Sequence, residues 1–425
     1  MMNPRIAILH YSALPIIGGV EQVIAQHTRL FLNAGLPVTL VTGRGGSDDA
    51  LAGAQVVVIP ELDSECPANL HVADGLSWGM LLREFRDLQT RIERALLPVC
   101  AEADLLIVHN AFNFHFNLPL TTVLHHLLDQ GSIRRMVAWA HDISRYVNPM
   151  SGASLRFGFP WDLLRTYRRD TAYVAVSHQR QRVLAQVLRC SEELIRVIPN
   201  GTDPDTLLGL GAMTRHLVDE FQLLQADLIL LMPIRITRAK NIKRALEIVA
   251  EIKKLGLRPK LIVTGPPDPH TADGQAYLHE LMALRHELNL PPDVIFLSEG
   301  TSKFPGPLTV GASVVAELYR TCDAVLMTSD REGFGLPIIE GGLIGKPVFT
   351  TEAPALEELD ANTVYKIGRD EASAHVAARI REWARQDGTH RLRCHIRQDL
   401  TWPAIFQRSI QPLLAERTVP VEVEV

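Results

Sequence analysis

Residues 329–347 read SDREGFGLPIIEGGLIGKP. The apolar run Ala324–Met327 before this stretch predicts a strand, and Leu336–Ile344 within it predicts a helix. Pro337 then falls in the first helical turn, where its missing N–H costs nothing. Gly333 and Gly335 let the backbone approach a ligand closely. The unpaired N–H groups and the positive end of the helix dipole favour an anion there, most simply a phosphate. Glu332 stands on the loop before the helix, and Glu340 lies eight residues later, in its first turns. Two carboxylates flanking an anion site suit a ligand with hydroxyls on both sides of its phosphates. A sugar nucleotide has that layout.

A second stretch supports the same chemistry. Residues 232–242 read MPIRITRAKNI, directly after the apolar run Leu228–Met232. Arg235 and Lys240 are expected on the loop at the carboxyl end of that strand. Arg offers a bidentate fork to phosphate and Lys a point charge. Arg238, Lys243 and Arg244 read instead as a solvated face, and Asn241 as a helix cap.

Outward from these stretches the chain alternates strand and helix. Strands are expected at Arg5–His10, Val38–Val41, Gln55–Ile59, Asp104–His109, Met136–Ala140, Tyr173–Val176 and Ile195–Ile198. A second series follows at Leu228–Met232, Lys260–Val263, Val294–Phe296, Ala324–Met327 and Pro347–Thr350. Val20, Val23, Ile24, His27, Leu30 and Phe31 mark one helix face, and Leu81–Leu97, Gln179–Leu188, Lys243–Leu255, Tyr277–Leu288 and Ser313–Tyr319 are further helices. Strand–helix–strand repetition implies parallel sheets. The α/β fold expected is two doubly wound, Rossmann-like domains facing each other across a cleft, with ligands at the carboxyl ends of the strands. The boundaries expected are 1–205, 206–400, and a C-terminal helix and tail, 401–425, returning to the first domain.

Composition narrows the function classes. The chain has 425 residues, 43 Lys+Arg and 48 Asp+Glu, for a net charge of −5. That balance argues against nucleic-acid binding, which needs a basic footprint. The five cysteines are scattered and form no C-x-x-C pair, so neither a zinc site nor a disulfide framework is expected. The first residues do not read as a signal peptide, and no apolar run is long enough to span a bilayer. A cytoplasmic location is the expectation; for the Arg-rich stretch 165–182, near Phe157, Phe159 and Trp161, a membrane-surface or phosphorylated-acceptor patch is the alternative reading. A solvated face is the preferred reading of Arg165, Arg168, Arg169, Arg180 and Arg182. Nothing in the sequence reads the oligomeric state.

Glu332–Glu340, EGFGLPIIE, resembles the E-x7-E signature of retaining GT-B glycosyltransferases, most like glycosyltransferase family 4. Other marks lie in family order: G-G-V-E at Gly18–Glu21, A-H-D at Ala140–Asp142, V-S at Val176–Ser177, P-N-G-T-D at Pro199–Asp203, R-x4-K at Arg235–Lys240, and Thr401-Trp402. The resemblance implies that Arg235 and Lys240 hold the donor diphosphate and Glu332 the sugar hydroxyls. It puts the amides of Gly333, Phe334 and Gly335, with Leu336, against sugar and phosphate, and Glu340 on the ribose. Gly18 and Gly19 would lie under the donor phosphate, and His141 by the reacting carbon. His109, Asn110 and His141 are candidates for the acceptor side. The function implied is retaining, metal-independent transfer of a hexose of glucose or mannose type. The donor is a UDP- or GDP-sugar and the acceptor a hydroxyl of a sugar, glycolipid or small molecule. No cofactor and no metal are expected.

Two departures and two weaker readings accompany it. Ile234 stands where family members often carry Gly, which implies a narrower donor pocket. Segments 266–274 and 298–311 look loop-like, and the second lies near where the family reads the base. Asp203-Pro204-Asp205 has the form of a metal site but reads as turn chemistry. Phe112, Phe114 and Phe116, with Asn110, Asn113 and His115, line either an acceptor pocket or core, the core being favoured. The competing functions are a nucleotide-sugar epimerase and a non-catalytic nucleotide-sugar-binding regulator.

Overall fold

The computed structural model describes residues 3–81, 83–268, 274–306 and 308–416. The chain divides into two compact units, Met1–Gly201 with Trp402–Val425, and Thr202–Thr401. Residues 417–425 of the expected tail, 269–273 and 307 of the two loop-like segments, and Leu82 of the expected Leu81–Leu97 helix lie outside the described residues.

The first unit is built on seven strands: β1 (Ile6–Ser12), β2 (Val38–Arg44), β3 (Gln55–Val58), β4 (Leu105–His109), β5 (Met136–Ala140), β6 (Thr171–Ala175) and β7 (Ile195–Val197). Their order is β3-β2-β1-β4-β5-β6-β7 and every pairing is parallel. The central strands are buried along their whole length, as an apolar run covered by helices on both faces must be. Ile6 lies opposite Val38 on one side and Leu105 on the other. The winding direction therefore reverses between β1 and β4, and the crevice at their carboxyl ends is where such sheets take ligands.

The second unit repeats the plan with six strands: β8 (Leu228–Met232), β9 (Pro259–Val263), β10 (Val294–Phe296), β11 (Ala324–Met327), β12 (Val348–Thr350) and β13 (Tyr365–Lys366). Their order is β10-β9-β8-β11-β12-β13, again all parallel, with the reversal between β8 and β11. Fold class is thus α/β with two doubly wound sheets.

Some boundaries differ from expectation. The helix after residue 82 is Arg83–Glu102 and continues through Pro98. Proline removes one backbone bond, but Phe85, Leu88, Ile92, Leu96 and Cys100 bury one continuous face across it. The final described helical stretch, from Trp402 to Ala415, packs in the first unit, with Ile405, Ile410, Leu413 and Leu414 joining the core under β1 and β5.

Candidate active site

In the second unit, the loops leaving β8 and β11 meet at the reversal point. After β8 the chain bends, the Ile234 amide donating to the Met232 carbonyl at 3.0 Å; Ile234 and Ile236 are buried and Arg235 between them is exposed. Ile234 packs into the core of the unit. It is 6% exposed. Gly265 is what admits this path, since a Cβ there would come within 2.3 Å of the Ile234 carbonyl oxygen. Arg235 makes no ion pair among the described residues.

The β8 loop ends in a turn closed by Asn241, whose φ of 45° places it in the left-handed region that Asn tolerates. Its side chain accepts from the Arg244 amide and donates to Asp330 Oδ1 at 2.9 Å. The Asp330 amide donates to the Ala239 carbonyl at 2.9 Å, and Thr328 Oγ1 to the Asn241 carbonyl at 2.9 Å. These bonds hold the two loops together and fix Lys240 beside Glu332. Lys240 Nζ lies 2.6 Å from Glu332 Oε2, with side chains 21% and 5% exposed. The hydroxyl of Ser329 donates to the other carboxylate oxygen. The lysine expected on a diphosphate and the glutamate expected on sugar hydroxyls are therefore ion-paired with each other.

The helix Leu336–Leu343 follows, its N-terminus shaped by Gly335 at φ 102°, where a side chain would be strained. Among the described residues, the amides of Gly333, Phe334, Gly335 and Leu336 donate to no other backbone group. They are the orphan donors of a helix start. A Cβ at Gly333 would meet nothing within 4 Å. Phe334 is 42% and Leu336 58% exposed. Glu340 is exposed, and its Oε2 accepts a 2.6 Å bond from the Tyr319 hydroxyl. Burial and that carboxylate raise the Tyr319 phenol pKa, so the phenol stays a donor. Arg238 and Lys243 pair with Glu280, and Arg244 donates to the carbonyls of Gly368, Arg369 and Glu371, as structural residues do.

In the first unit, His109 closes β4 and His141 follows β5. His109 Nδ1 and His141 Nε2 are 2.9 Å apart, and the rings stack at 5.2 Å. Asn110, at φ 60°, accepts the His141 amide through Oδ1 at 2.9 Å. All three acceptor-side candidates are thus brought together. Two further histidines join them. His10, at the end of β1, hydrogen-bonds the His109 carbonyl at 2.9 Å, and the His27 ring lies 5.5 Å from that of His109. Burial depresses all four. The pKa of His141 and of His27 falls to about 3, and those of His10 and His109 fall as well. The cluster is neutral at physiological pH. Sequence reasoning read His27 only as a helix-face residue and missed His10. The signal was its place at the carboxyl end of β1, beside the reversal point.

Gly18 caps the helix Gly19–Asn33 and fits around Glu21. A Cβ on Gly18 would sit 2.1 Å from Glu21 Oε2, whereas one on Gly19 would meet nothing within 4 Å. Glu21 Oε1 accepts from the Ser12 hydroxyl at 2.6 Å and lies 4.0 Å from His10 Nε2.

The weaker readings resolve simply. Asp203 caps the short helix Pro204–Leu208, accepting from the amides of Asp205 and Thr206. Among the described residues no group of three or more His, Cys, Asp or Glu is placed to hold a metal ion. Phe112 is buried and stacks on His125 at 4.4 Å, while Phe116 is 48% exposed. Arg165, Arg168 and Arg180 pair with Asp162, with Asp129 and Asp170, and with Asp142. No helix among the described residues is long and apolar enough to cross a membrane.

Comparison with known proteins bears on both units. The family model described as Glycosyltransferase Family 4 matches residues 17–206, and the one described as Glycosyl transferases group 1 matches residues 218–397. A D-inositol 3-phosphate glycosyltransferase of Stackebrandtia nassauensis is 28% identical over 190 residues, which is 42% of this chain and 38% of that protein. The chain thus spans well under half the length of this curated relative. Among solved structures, the sucrose-phosphate synthase of Thermosynechococcus elongatus is 18% identical with a TM-score of 0.38, over 97% of this chain and 98% of that one. The Anabaena HepE protein in complex with UDP-glucose is 18% identical with a TM-score of 0.36, over 97% and 100%. The two family models between them take in the G-G-V-E, A-H-D, R-x4-K and E-x7-E stretches, and the chain belongs to the group 1 glycosyl transferases of glycosyltransferase family 4.

Proposed function

We propose that this chain is a retaining, metal-independent glycosyltransferase that moves a hexose from a UDP- or GDP-sugar to a hydroxyl acceptor. The observation that carries the reading is the constellation at the β8/β11 reversal. It combines an exposed Arg235, a Lys240–Glu332 pair, unpaired amides at a helix start, and Glu340 steadied by Tyr319.

The chemical problem is departure of a nucleoside diphosphate from the anomeric carbon. Negative charge grows on the leaving phosphate as the bond breaks. Arg235, Lys240 and the amides of Gly333–Leu336 supply preorganised positive charge and donors for it. Glu332 accepts from Lys240 and Ser329, which orients its remaining lone pairs towards sugar hydroxyls. Glu340 keeps one oxygen for a ribose hydroxyl while Tyr319 holds the other. His141, neutral down to about pH 3, acts as a hydrogen-bonding group on sugar or acceptor rather than as a cation. The acceptor's proton goes to the leaving phosphate, which needs no carboxylate base.

The test is thermal stabilisation of the purified chain by a panel of nucleotides and nucleotide sugars, with and without EDTA. Binding to the folded state alone raises the melting temperature by mass action. The expected result is a shift from one UDP- or GDP-sugar, insensitive to EDTA and lost in Lys240→Ala. The anomeric configuration of the first product, read by proton NMR, tests retention. Binding without turnover across a wide acceptor panel would replace this reading with the regulatory one. Isomerisation of the nucleotide sugar without any acceptor would replace it with the epimerase.

A further inference from the structure

A cavity of about 170 Å³ opens in the first unit. It lies between the helix Pro67–Ser77, the start of the helix Leu118–Asp129, and the loop that leaves β5 after His141. Tyr146 on its wall is five positions along the chain from His141, so the two α-carbons lie within about 17 Å.

The charged wall of the cavity is Arg156. Its guanidinium sits 4.8 Å from the centre of the Tyr146 ring and 5.0 Å from that of Trp161. One N–H donates to the Leu76 carbonyl at 2.6 Å. The exposed Arg145 is not itself in the lining; it lies 4.9 Å from the ring of Tyr146, which is, and donates to the Tyr146 hydroxyl at 2.9 Å. Among the described residues neither arginine has a carboxylate partner, whereas Arg165, Arg168 and Arg180 of the same unit each have one. Among the described residues no Asp or Glu lines the cavity. The half-buried His115 on its wall is neutral: burial, then the charges of Arg145 and Arg156, push its pKa down to about 4. Asn117 caps the helix that starts at the wall, so the positive end of that dipole faces the same side.

One guanidinium in the wall, a second bonded to the hydroxyl of the lining Tyr146, and a helix start make a concave positive site. Phe116 and Leu118 add an apolar face suited to a sugar ring. The volume admits one ring or one phosphoryl group, not a peptide. We propose that this cavity is a binding subsite for an anionic group, phosphoryl or carboxylate, on a small sugar-like acceptor. The proposal rests on the glycosyltransferase reading for the word acceptor, but anion binding itself does not depend on turnover.

The test is calorimetric titration of the full chain carrying Arg235→Ala and Lys240→Ala, which removes the cations of the second unit. The probes are inorganic phosphate, glucose 6-phosphate, glucuronate and glucose. The expected result is saturable binding of phosphate and of glucose 6-phosphate, with glucose undetected. Adding Arg145→Ala should weaken it about tenfold at an unchanged melting temperature, the effect of losing one charged donor. Arg156→Lys, which keeps the charge and loses the fork, should weaken it as well. Tighter binding of glucuronate than of phosphate assigns the carboxylate arm. Loss of anion binding on removing Arg235 and Lys240, or equal binding of glucose and glucose 6-phosphate, would overturn the proposal. Anion binding in this variant, together with no transferase activity of the wild-type chain on any donor and acceptor, would sink the functional reading and leave the subsite standing.

Discussion

Lys240 and Glu332 give the sharpest test of how the second unit is built. The carboxylate is almost fully enclosed and the lysine is one-fifth exposed. Removing Lys240 leaves a buried charge with Ser329 as its remaining side-chain donor. Breaking fully buried pairs costs about 3–5 kcal/mol, and the exposure of the lysine scales that to roughly 2 kcal/mol here. For a unit of this size each kcal/mol shifts the melting point by roughly 2–4 °C, so Lys240→Ala should lower it by about 4–8 °C. Glu332→Gln removes the buried charge and leaves a lysine that water can reach, at a cost of about 1 kcal/mol or less. The double variant should then be more stable than Lys240→Ala alone, with a coupling of at least about 1 kcal/mol. Because the chain has two units, native-state hydrogen exchange of the β8 and β11 amides isolates the relevant transition. If the two single effects add to within about 0.5 kcal/mol, the lysine and glutamate do not stabilise one another and the pairing argument is wrong.

The other expectations concern the first unit. Gly18→Ala drives a Cβ into Glu21, so it should break the Ser12–Glu21 bond and lower the melting point, while Gly19→Ala enters open space and should not. If Gly19→Ala nevertheless weakens use of the nucleotide sugar, the lost space is ligand space; unaltered kinetics would remove this loop from donor binding. The unfolded chain takes up protons on its histidines below about pH 6.5, whereas folded His27 and His141 stay neutral to about 3. The unfolded state therefore binds more protons in that window, and stability falls as pH falls through it, by roughly 2 kcal/mol per histidine at about pH 5. Melting temperatures that stay level from pH 7 to 5 would contradict this. His27 has both ring nitrogens buried without a partner, so His27→Leu should raise stability at pH 7 and flatten the acid limb. A loss of stability at pH 7 would show that the ring is held by more than packing.

What the sequence disclosed follows from where its signals are strong. Central strands such as Leu228–Met232 and Met136–Ala140 are fully buried on both faces, and their unbroken apolar runs bounded the site motifs directly. Ligand loops were equally legible, because Gly335 and Pro337 each meet a backbone demand that few residues satisfy. Leu118–Asp129 was not predicted, because nine of its twelve residues are buried and it shows no polar face to set its period. The two-residue edge strand β13 is exposed at both positions and carries no pattern at all. At the site, sequence gave residue types but not their partners. Tyr319, Ser329 and Asp330 act on motif residues from positions up to 89 apart in the chain, a distance that no local pattern spans.

The two units solve opposite electrostatic problems. In the first unit the histidines are stripped of charge by burial, so that whatever they touch meets neutral donors and acceptors. In the second, charge is kept, and Glu332 holds Lys240 in place while no phosphate is bound. On the proposed reading, a diphosphate arriving at Lys240 shares it with that carboxylate, so part of the lysine's attraction is already committed to folding. The share left over grows as negative charge builds on the leaving phosphate, which favours the transition state over the bound donor. Glu332→Gln frees the lysine and should tighten binding of the nucleoside diphosphate product by several-fold. It should also slow turnover, because product then leaves late and the sugar hydroxyls lose a charged acceptor. A variant that bound product no more tightly than wild type would mean that Lys240 meets the phosphate unhindered, and the division of its charge between fold and ligand would have to be abandoned.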